Sequence, residues 1–435
     1  MWAFEDVFYQ IYTLGFCNAP FENDSVLEHR ILKVIDYIPH LKRLGVKCVL
    51  FNPVFESDTH GYNTRDYRRL DTRLGTNEDF KRVCDALHAE GIKIVLDGVF
   101  NHCGRGFFGF KDVCEKKWES EYKDWFYINF DGNDVWNDGL WYEGWEGNYD
   151  LVKFNLANYR VADYLIDSVR MWVNEFGIDG LRLDVAYCIN PDFLKRLRWE
   201  TSQMKEDFFL MGEMIHGDYN RLVNDEMCHS ATNYECYKGM YSAFNSMNLF
   251  EIVHSLLRQF GPEQWTLYKG KHLLSFVDNH DVTRIASILN NPAHISLVYG
   301  MLFGMPGIPT VYYGSEWGMK GNKSDGDPAL RPAIESPEWN ELTDTVAMMI
   351  RARQNSKALN YGDFRSLVLT NRQCVFERNC DDSRVMVAIN ADENPYTAHF
   401  DARAGRAHDL ITGKEIDFGG GLDIPGYTVY FLEPF

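Results

Sequence analysis

The sequence predicts an α/β fold: a (β/α)8 TIM barrel with a long excursion after the third strand and a C-terminal antiparallel β-sandwich. Three observations support this prediction. Short apolar runs alternate with long amphipathic stretches, eight such runs can be counted, and the pattern changes to short alternating segments after about residue 358. Alternating strands and helices imply right-handed βαβ units with a parallel sheet. Eight of them favour a closed barrel over an open doubly wound sheet.

Each predicted strand is a short run rich in β-branched or aromatic residues, and each predicted helix is a longer stretch with helical periodicity. The strands are predicted at VFYQIY (7–12), VKCVLF (46–51), IKIVLDGV (92–99), GIDGLRLDV (177–185), FFLMGEM (208–214), the weaker SATNYE (230–235), HLLSFVDN (272–279) and IPTVYY (308–313). The helices are predicted near 25–44, 76–90, 159–176, 191–204, 244–260, 291–304 and 337–356.

The chain is long enough for one large domain with smaller additions. We expect the catalytic barrel to comprise residues 1–101 and 158–357, a small inserted subdomain residues 102–157, and the sandwich residues 358–435. The insertion greatly exceeds normal loop lengths, which suggests a functional excursion. Its aromatic rings fit two interpretations equally well, a wall of a carbohydrate cleft or the insertion's own small core. These rings are Phe107, Phe108, Phe110, Trp118, Trp125, Phe126, Tyr127, Phe130, Trp136, Trp141, Tyr142, Trp145 and Tyr149.

Composition and charge exclude several classes of protein. The formal net charge of -19 argues against nucleic acid and anionic membranes as partners, because both require a basic surface. The sequence begins without a secretion signal pattern and holds no apolar run long enough to span a bilayer, so we expect a cytoplasmic protein. Its ten cysteines form no CxxC pair, which indicates free thiols rather than disulfides or a zinc site.

Four predicted strand ends carry ionisable residues that a buried strand would not otherwise tolerate. In a barrel the carboxyl ends of the strands meet at one face, so these side chains are expected to converge on one pocket. They are Asp97 and His102 in DGVFNH, Arg182 and Asp184 in GLRLDVA, Glu213 in MGEM, and His280 and Asp281 in FVDNHD.

The second of these motifs suggests a reaction. Side chains two apart on a strand point the same way, so Arg182 should lie beside Asp184 and favour the ionised form that a nucleophile needs. Glu213 has no adjacent cation in the sequence, so burial should raise its pKa, as suits a general acid. Two carboxyl groups with different protonation states on neighbouring strands are what retaining glycoside hydrolysis requires.

In this order and spacing, the four motifs resemble the signature regions of the α-amylase family, glycoside hydrolase family 13, over essentially the whole chain. The resemblance implies Asp184 as nucleophile, Glu213 as acid/base and Asp281 as transition-state stabiliser. It also implies that Asp97, His102, Arg182 and His280 hold the reacting glucose, and that Tyr62 in HGYNTRDY stacks on it.

Two further segments resemble the neopullulanase and cyclomaltodextrinase branch. These are YDLVKFN (149–155) and GEMIHG, which brings His216 into the set of predicted substrate-binding residues. Arg331 and Glu316, after the last strand, are candidates for outer substrate contacts, with a salt-bridged scaffold as the alternative. Enzymes of this branch usually dimerise through an extra N-terminal domain. Because the first strand begins near Val7, we expect a monomer or a weak homo-oligomer.

No cofactor is expected to be required. Val185, Ala186 and Tyr187 stand where calcium-dependent α-amylases carry a Lys-His pair, which argues against that calcium site although Asn101 is present. The acidic segment DGNDVWNDG (131–139) lacks the terminal glutamate of an EF-hand loop.

The expected partners are therefore α-1,4-glucan oligosaccharides, and the expected activity is retaining hydrolysis of maltodextrins to maltose and glucose through a covalent glucosyl-enzyme intermediate. Glucosyl transfer, isomerisation or phosphorolysis by the same superfamily is a second hypothesis, because water exclusion depends on loop packing. A non-catalytic carbohydrate-binding barrel is a third, although all three catalytic carboxylates are present.

Overall fold

A parallel barrel forms the centre of the molecule in the computed structural model, which describes residues 1–435. Its strands follow the order β6-β5-β4-β3-β2-β1-β8-β7, and a parallel bridge between Thr232 and Leu274 joins β6 to β7. The predicted fold class is confirmed. The strands are β1 Phe8–Ile11, β2 Cys48–Phe51, β3 Lys93–Gly98, β4 Gly180–Leu183, β5 Phe209–Gly212, β6 Ser230–Ala231, β7 Leu274–Phe276 and β8 Ile308–Tyr312.

Eight helices of ten or more residues surround the strands. Several helices begin at a residue whose side chain caps the first turn. Thr76 and Asp79 form a capping box, and so do Asn340 and Thr343. The helices are α1 Lys33–Leu44, α2 Asn77–Ala89, α3 Tyr159–Phe176, α4 Pro191–Met204, α5 Tyr234–Ser246, α6 Phe250–Phe260, α7 Ile295–Gly304 and α8 Glu341–Asn355. Shorter helices are Thr13–Phe16, Ile285–Ile288, Asp327–Leu330 and Lys357–Tyr361. No helix combines the length and apolarity needed to cross a membrane.

Two helix predictions were wrong in extent. Residues 25–32 are not part of α1, because Glu28 and Ile31 donate their backbone N–H groups to the carbonyls of Thr72 and Leu74 instead of continuing a helix. The predicted helix over 244–260 is two helices, α5 and α6. Met247 ends the first with φ 52°, in the left-handed region, and periodicity alone did not reveal this break.

The insertion over residues 102–157 combines the helix Phe108–Lys116 with short antiparallel strands. Five of its thirteen aromatic rings are buried and pack in a core, which decides the open question for those five. These rings are Phe107, Phe110, Trp125, Phe126 and Tyr142. The strands are His102–Gly104, Ile128–Asn129, Trp141–Tyr142, Gly144–Trp145 and Asn148–Lys153.

The C-terminal part is a two-layered antiparallel sandwich. Its larger sheet has the order β9-β10-β11-β16-β13-β14, and the pair β12-β15 covers one face through apolar residues of both layers. Its other face packs on the barrel, where Val387 and Val429 lie within 3 Å of the positions that side chains at Gly304 and Gly300 of α7 would occupy. The strands are β9 Arg365–Leu369, β10 Gln373–Cys380, β11 Ser383–Asn390, β12 Tyr396–Ala398, β13 Arg406–Asp409, β14 Glu415–Asp417, β15 Leu422–Ile424 and β16 Thr428–Pro434.

Glu316 belongs to the scaffold and not to a substrate site. It is fully buried, and its Oε1 accepts hydrogen bonds from the Tyr9 hydroxyl at 2.6 Å and from His40 Nε2 at 2.8 Å. These contacts tie β1 and α1 to the segment after β8. Of the two interpretations of Glu316, the structure therefore supports the buried polar network.

We expect Glu316→Ala to lower the free energy of unfolding by about 3 kcal/mol, because two buried donors lose their acceptor. Thermal or denaturant unfolding measures this change. The exposed Glu335 provides the control substitution Glu335→Ala, which should leave stability unchanged. A normal stability together with a raised KM would instead place Glu316 in a substrate contact.

Candidate active site

One guanidinium organises the pocket at the carboxyl ends of the strands. Arg182 Nη1 donates to Asp97 at 2.8 Å and to Asp184 Oδ1 at 2.9 Å, and Arg182 Nη2 lies 2.8 Å from Glu213 Oε1. The register explains this convergence, because Arg182 pairs with Asp97 of β3 on one side and with Met211 of β5 on the other. The predicted Arg182–Asp184 contact is present. Glu213, expected to lack a cation, receives this one from the neighbouring strand.

The turn after β4 holds Glu213 from a second direction. Val185 has φ 39°, a conformation that costs a β-branched residue about 1–3 kcal/mol, and its N–H donates to Glu213 Oε2 at 3.0 Å. Gly212 allows the turn to approach, since a Cβ there would lie 2.7 Å from that of Ala186. The role of Val185 was not predicted, because its left-handed backbone conformation has no signal in the sequence.

Burial controls the protonation of this cluster. It raises the pKa of Asp184 well above its usual value, with Glu213 and Asp97 adding to the effect and Arg182 opposing it. Burial also raises the pKa of Glu213, again against Arg182. Arg182 acts on Asp184 in the predicted direction, but burial and the two neighbouring carboxylates have the larger effect on the pKa. Asp184 and Glu213 contact the same guanidinium and therefore titrate as a coupled pair.

Asp281 lies in the same pocket but has a different environment. Arg331 Nη2 donates to its Oδ1 at 2.7 Å, and His280 Nε2 lies 3.0 Å from its Oδ2. Burial acts to raise the pKa of Asp281, but His280 and Arg331 outweigh it and lower the pKa to about 2. Asp281 is thus ionised at neutral pH, where it can face a developing positive charge.

Both predicted histidines are neutral donors with fixed tautomers. Gln10 Nε2 donates to His280 Nδ1 at 3.0 Å, so His280 carries its proton on Nε2. Asn101 Nδ2 acts in the same way on His102 Nδ1 at 3.1 Å, which leaves His102 Nε2 buried without a partner, 3.8 Å from Asp184. Burial lowers the pKa of each imidazole to about 3. Gln10 was not predicted, because a polar residue inside an apolar strand was its only signal.

Tyr62 connects the walls of the pocket. Its hydroxyl donates to Asp97 Oδ2 at 3.1 Å and lies 2.6 Å from His280 Nε2, while its ring stacks on that of His280 with centroids 5.8 Å apart. Asn52 donates a further hydrogen bond to Asp97 at 3.1 Å. Asp97 therefore receives hydrogen bonds from three side chains and acts as the anchor of the pocket floor.

The pocket has a volume of about 410 Å³, and the lining includes residues that the sequence analysis did not assign. Trp145 of the insertion is the one ring of the aromatic set that lines it. His216 does not line it: the side chain is exposed, 5.5 Å from the Tyr187 ring, and its predicted substrate contact stays a prediction. The unassigned lining residues are His60, Asn148, Leu151, Val185, Ile215, Tyr234, Val282, Lys323 and Asp327.

Neither candidate calcium segment presents a cluster of metal ligands. The side-chain amide of Asn101 contacts His102 Nδ1. In segment 131–139, Arg105 lies between the acidic residues, with its Nη2 2.6 Å from Asp138 and its Nη1 3.7 Å from Asp134. No group of three or more histidine, cysteine or acidic side chains is arranged to hold an ion.

Comparison with known families agrees with this geometry. Residues 10–374 match the family described as the α-amylase catalytic domain, which is most of the chain. The chain belongs to the α-amylase family. It is a glycoside hydrolase of family 13, in the branch of maltogenic amylases, cyclomaltodextrinases and neopullulanases, as the resemblance of its motifs indicated.

Within the α-amylase family, the chain is 30% identical over 465 residues to a maltogenic α-amylase of Bacillus acidopullulyticus, covering 99% of this chain and 78% of that protein. It is 32% identical over 454 residues to neopullulanase 2 of Thermoactinomyces vulgaris, covering 95% and 74%. The solved structure of a cyclic α-maltosyl-(1→6)-maltose hydrolase from Arthrobacter globiformis superposes with a TM-score of 0.84 at 26% identity, over 99% of each chain.

Proposed function

We propose that this enzyme hydrolyses α-1,4-glucosidic bonds of maltooligosaccharides with retention of configuration and releases mainly maltose and glucose. The observation that carries the proposal is the single Arg182 guanidinium that binds both Asp184 and Glu213. Carboxyl groups held on one guanidinium are close together. Retaining enzymes separate theirs by about 5–5.5 Å, and inverting enzymes need a wider gap for water.

In the proposed first step, Glu213 gives its proton to the glycosidic oxygen while Asp184 Oδ attacks the anomeric carbon. The carbon–oxygen bond breaks and the leaving glucan departs with the proton. Positive charge developing on the sugar ring stabilises the ionised form of Asp184, while Glu213 carries the proton that is transferred. Ionised Asp281 stabilises the same charge.

In the second step, Glu213 removes a proton from water, which attacks the anomeric carbon and releases Asp184. The sugar in the pocket is held by groups whose protonation is fixed. His102 Nε2 carries an unpartnered hydrogen 3.8 Å from Asp184, and the hydrogen of His280 Nε2 orients the Tyr62 hydroxyl. Tyr62 offers its ring face to the sugar, and Trp145 offers a ring from the insertion. Arg331 keeps Asp281 in place.

Product analysis tests the activity. The purified protein is incubated with maltotriose, maltoheptaose, β-cyclodextrin and pullulan, and the products are separated by chromatography. Glucose and maltose from the linear oligomers are the expected result, because the pocket holds the full set of carboxylates. Longer or rearranged glucans as main products would contradict hydrolysis and favour glucosyl transfer.

We predict a bell-shaped dependence of kcat/KM on pH. Activity needs one proton on the Asp184–Glu213 pair. It is lost as pH rises and the general acid deprotonates, and it is lost as pH falls and a second proton blocks the nucleophile. Because burial raises the pKa of both groups, the alkaline limb should lie above the usual carboxyl range. Initial rates on maltotriose measure this. A rate constant that stays flat into alkaline pH would contradict a protonated carboxyl as the acid.

We also propose a cytoplasmic location, supported by the ten unpaired cysteines, most of them buried inside the fold. A reducing compartment keeps such thiols from forming wrong disulfides. Fractionation of the source cells with an antibody against the protein tests this. Recovery of the protein from the extracellular fraction would contradict it.

A further inference from the structure

Two amide side chains lie beneath the active-site pocket. Gln10 of β1 and Asn52, which follows β2, are both buried, and neither lines the pocket. Gln10 Nε2 donates to Asn52 Oδ1 at 2.9 Å. Buried amides are costly unless their polar atoms have partners. The remaining partners of this pair are side chains of the active site, so the two amides connect groups that lie on different strands.

Asp97 determines the orientation of both amides. It accepts hydrogen bonds from Arg182 Nη1 at 2.8 Å, and as an acceptor it requires that a neighbouring amide present its NH2 group. Asn52 does so, with Nδ2 3.1 Å from Asp97 Oδ2. Asn52 Oδ1 therefore points the other way and needs a donor, which is Gln10 Nε2. One carboxylate thus decides which end of each amide is the nitrogen.

The same constraint extends to His280. Gln10 Nε2 has a second hydrogen atom, and it lies 3.0 Å from His280 Nδ1. Because Nδ1 accepts this hydrogen, the imidazole is neutral and carries its own hydrogen on Nε2. That nitrogen lies 2.6 Å from the Tyr62 hydroxyl and 3.0 Å from Asp281 Oδ2. The tautomer of His280 therefore follows from the charge of Asp97, through two amides.

The hydrogen bonds return to Asp97 through Tyr62. The Tyr62 hydroxyl accepts from His280 Nε2 and from Asn52 Nδ2 at 3.1 Å, and it donates to Asp97 Oδ2 at 3.1 Å. Each hydrogen atom in this closed ring has a single direction. If His280 carried its hydrogen on Nδ1, that hydrogen would meet the NH2 group of Gln10, and two donors would face each other.

We propose that Gln10 is a positioning residue for the glycosidic reaction, because together with Asn52 it holds His280 in the tautomer with the hydrogen on Nε2. This tautomer presents a hydrogen atom to Tyr62 and Asp281. The other tautomer presents a lone pair to both, and it repels the carboxylate that faces the developing positive charge. The inference deepens the proposed function, and its kinetic part rests on that function.

NMR of the full-length protein containing ¹⁵N-labelled histidine tests the tautomer directly. Ring nitrogens with and without a hydrogen differ widely in chemical shift, and the His280 signals are identified by their loss in His280→Gln. We expect a protonated Nε2 and an unprotonated Nδ1 at neutral pH. In Gln10→Glu, which has the same shape but offers only acceptor oxygens, Nδ1 should gain a proton. A protonated Nδ1 in the unaltered enzyme would overturn the proposal.

Kinetics on maltotriose test the consequence for catalysis. Gln10→Met keeps the length of the side chain but cannot donate, so kcat should fall by about tenfold, the value of one hydrogen bond. KM should change little, because no substrate contact is removed. Gln373→Met is the matched control. Gln373 is a buried glutamine of the sandwich whose Nε2 donates to Asn390 Oδ1 at 2.9 Å, and its replacement should lower stability but leave kcat unchanged.

The outcomes separate the role of Gln10 from the proposed function. If Gln10→Met leaves the His280 tautomer and kcat unchanged, Gln10 is a scaffold residue like Gln373 and the proposal is overturned. A raised KM with normal kcat would contradict it too, since Gln10 would then act on substrate binding. If the unaltered enzyme cleaves no maltooligosaccharide, the proposed function fails, and the tautomer in the unaltered and Gln10→Met proteins alone decides the role of Gln10.

Discussion

Replacing Asp184 with asparagine should lower kcat/KM on maltotriose by at least about 10⁴-fold, because no other group in the pocket can form the covalent intermediate. The amide has the shape of the carboxyl group, so Arg182 can still donate to it. The substitution also removes one of three acidic groups that surround a single guanidinium. We therefore expect the melting temperature to stay the same or rise.

The control for this variant is Asp192→Asn, an exposed aspartate at the start of α4, which should retain full activity. Initial rates and thermal unfolding are measured on the same preparations. Full activity of Asp184→Asn would contradict the nucleophile assignment, and a large loss of stability would contradict the excess of negative charge in the cluster.

Glu213→Gln should have an effect that depends on the leaving group. On maltotriose, loss of the general acid should lower the rate by about 10²–10⁴-fold. On 4-nitrophenyl α-maltoside the leaving group needs no proton, so the first step should continue and the second should slow. A burst of nitrophenol followed by a slow steady rate is the expected result, since the intermediate then accumulates.

Azide distinguishes the two carboxyl groups by stereochemistry. With Glu213→Gln it should attack the glycosyl-enzyme and yield the α-glycosyl azide, because two inversions restore the configuration. With Asp184→Asn it can only displace the leaving group directly and yield the β-azide. Exchanged outcomes would exchange the roles of Asp184 and Glu213.

The barrel and the meeting of its strand ends could be predicted from the sequence, because strand periodicity and parallel topology leave few alternatives. Asp97, Arg182 and Asp184 could be placed together for the same reason. Glu213 could be placed in the same pocket, but which side chains touch depends on the register between strands, so the contact of Arg182 with Glu213 was missed. The left-handed turn at Val185 and the tautomer control by Gln10 also depend on backbone conformation that no residue pattern specifies.

Two further features of the site could not be predicted from the sequence, each for a physical reason. Five of the thirteen rings of the insertion are buried in a core, and only the folded arrangement shows that Trp145 reaches the pocket. The pKa of Asp184 was judged from one neighbour, Arg182, whereas burial and two additional carboxylates decide it. The sequence shows which charged residues are near along the chain. The effects of burial and of charges on other strands on a pKa depend on the tertiary fold.

The most direct test of the mechanism is mass spectrometry of the Glu213→Gln protein mixed with 4-nitrophenyl α-maltoside and quenched during steady-state turnover. The account predicts a population of protein carrying one covalently attached maltosyl group, located by peptide mapping on Asp184. Unmodified protein during continued nitrophenol release, or a maltosyl group attached to any other residue, would contradict a double displacement at Asp184.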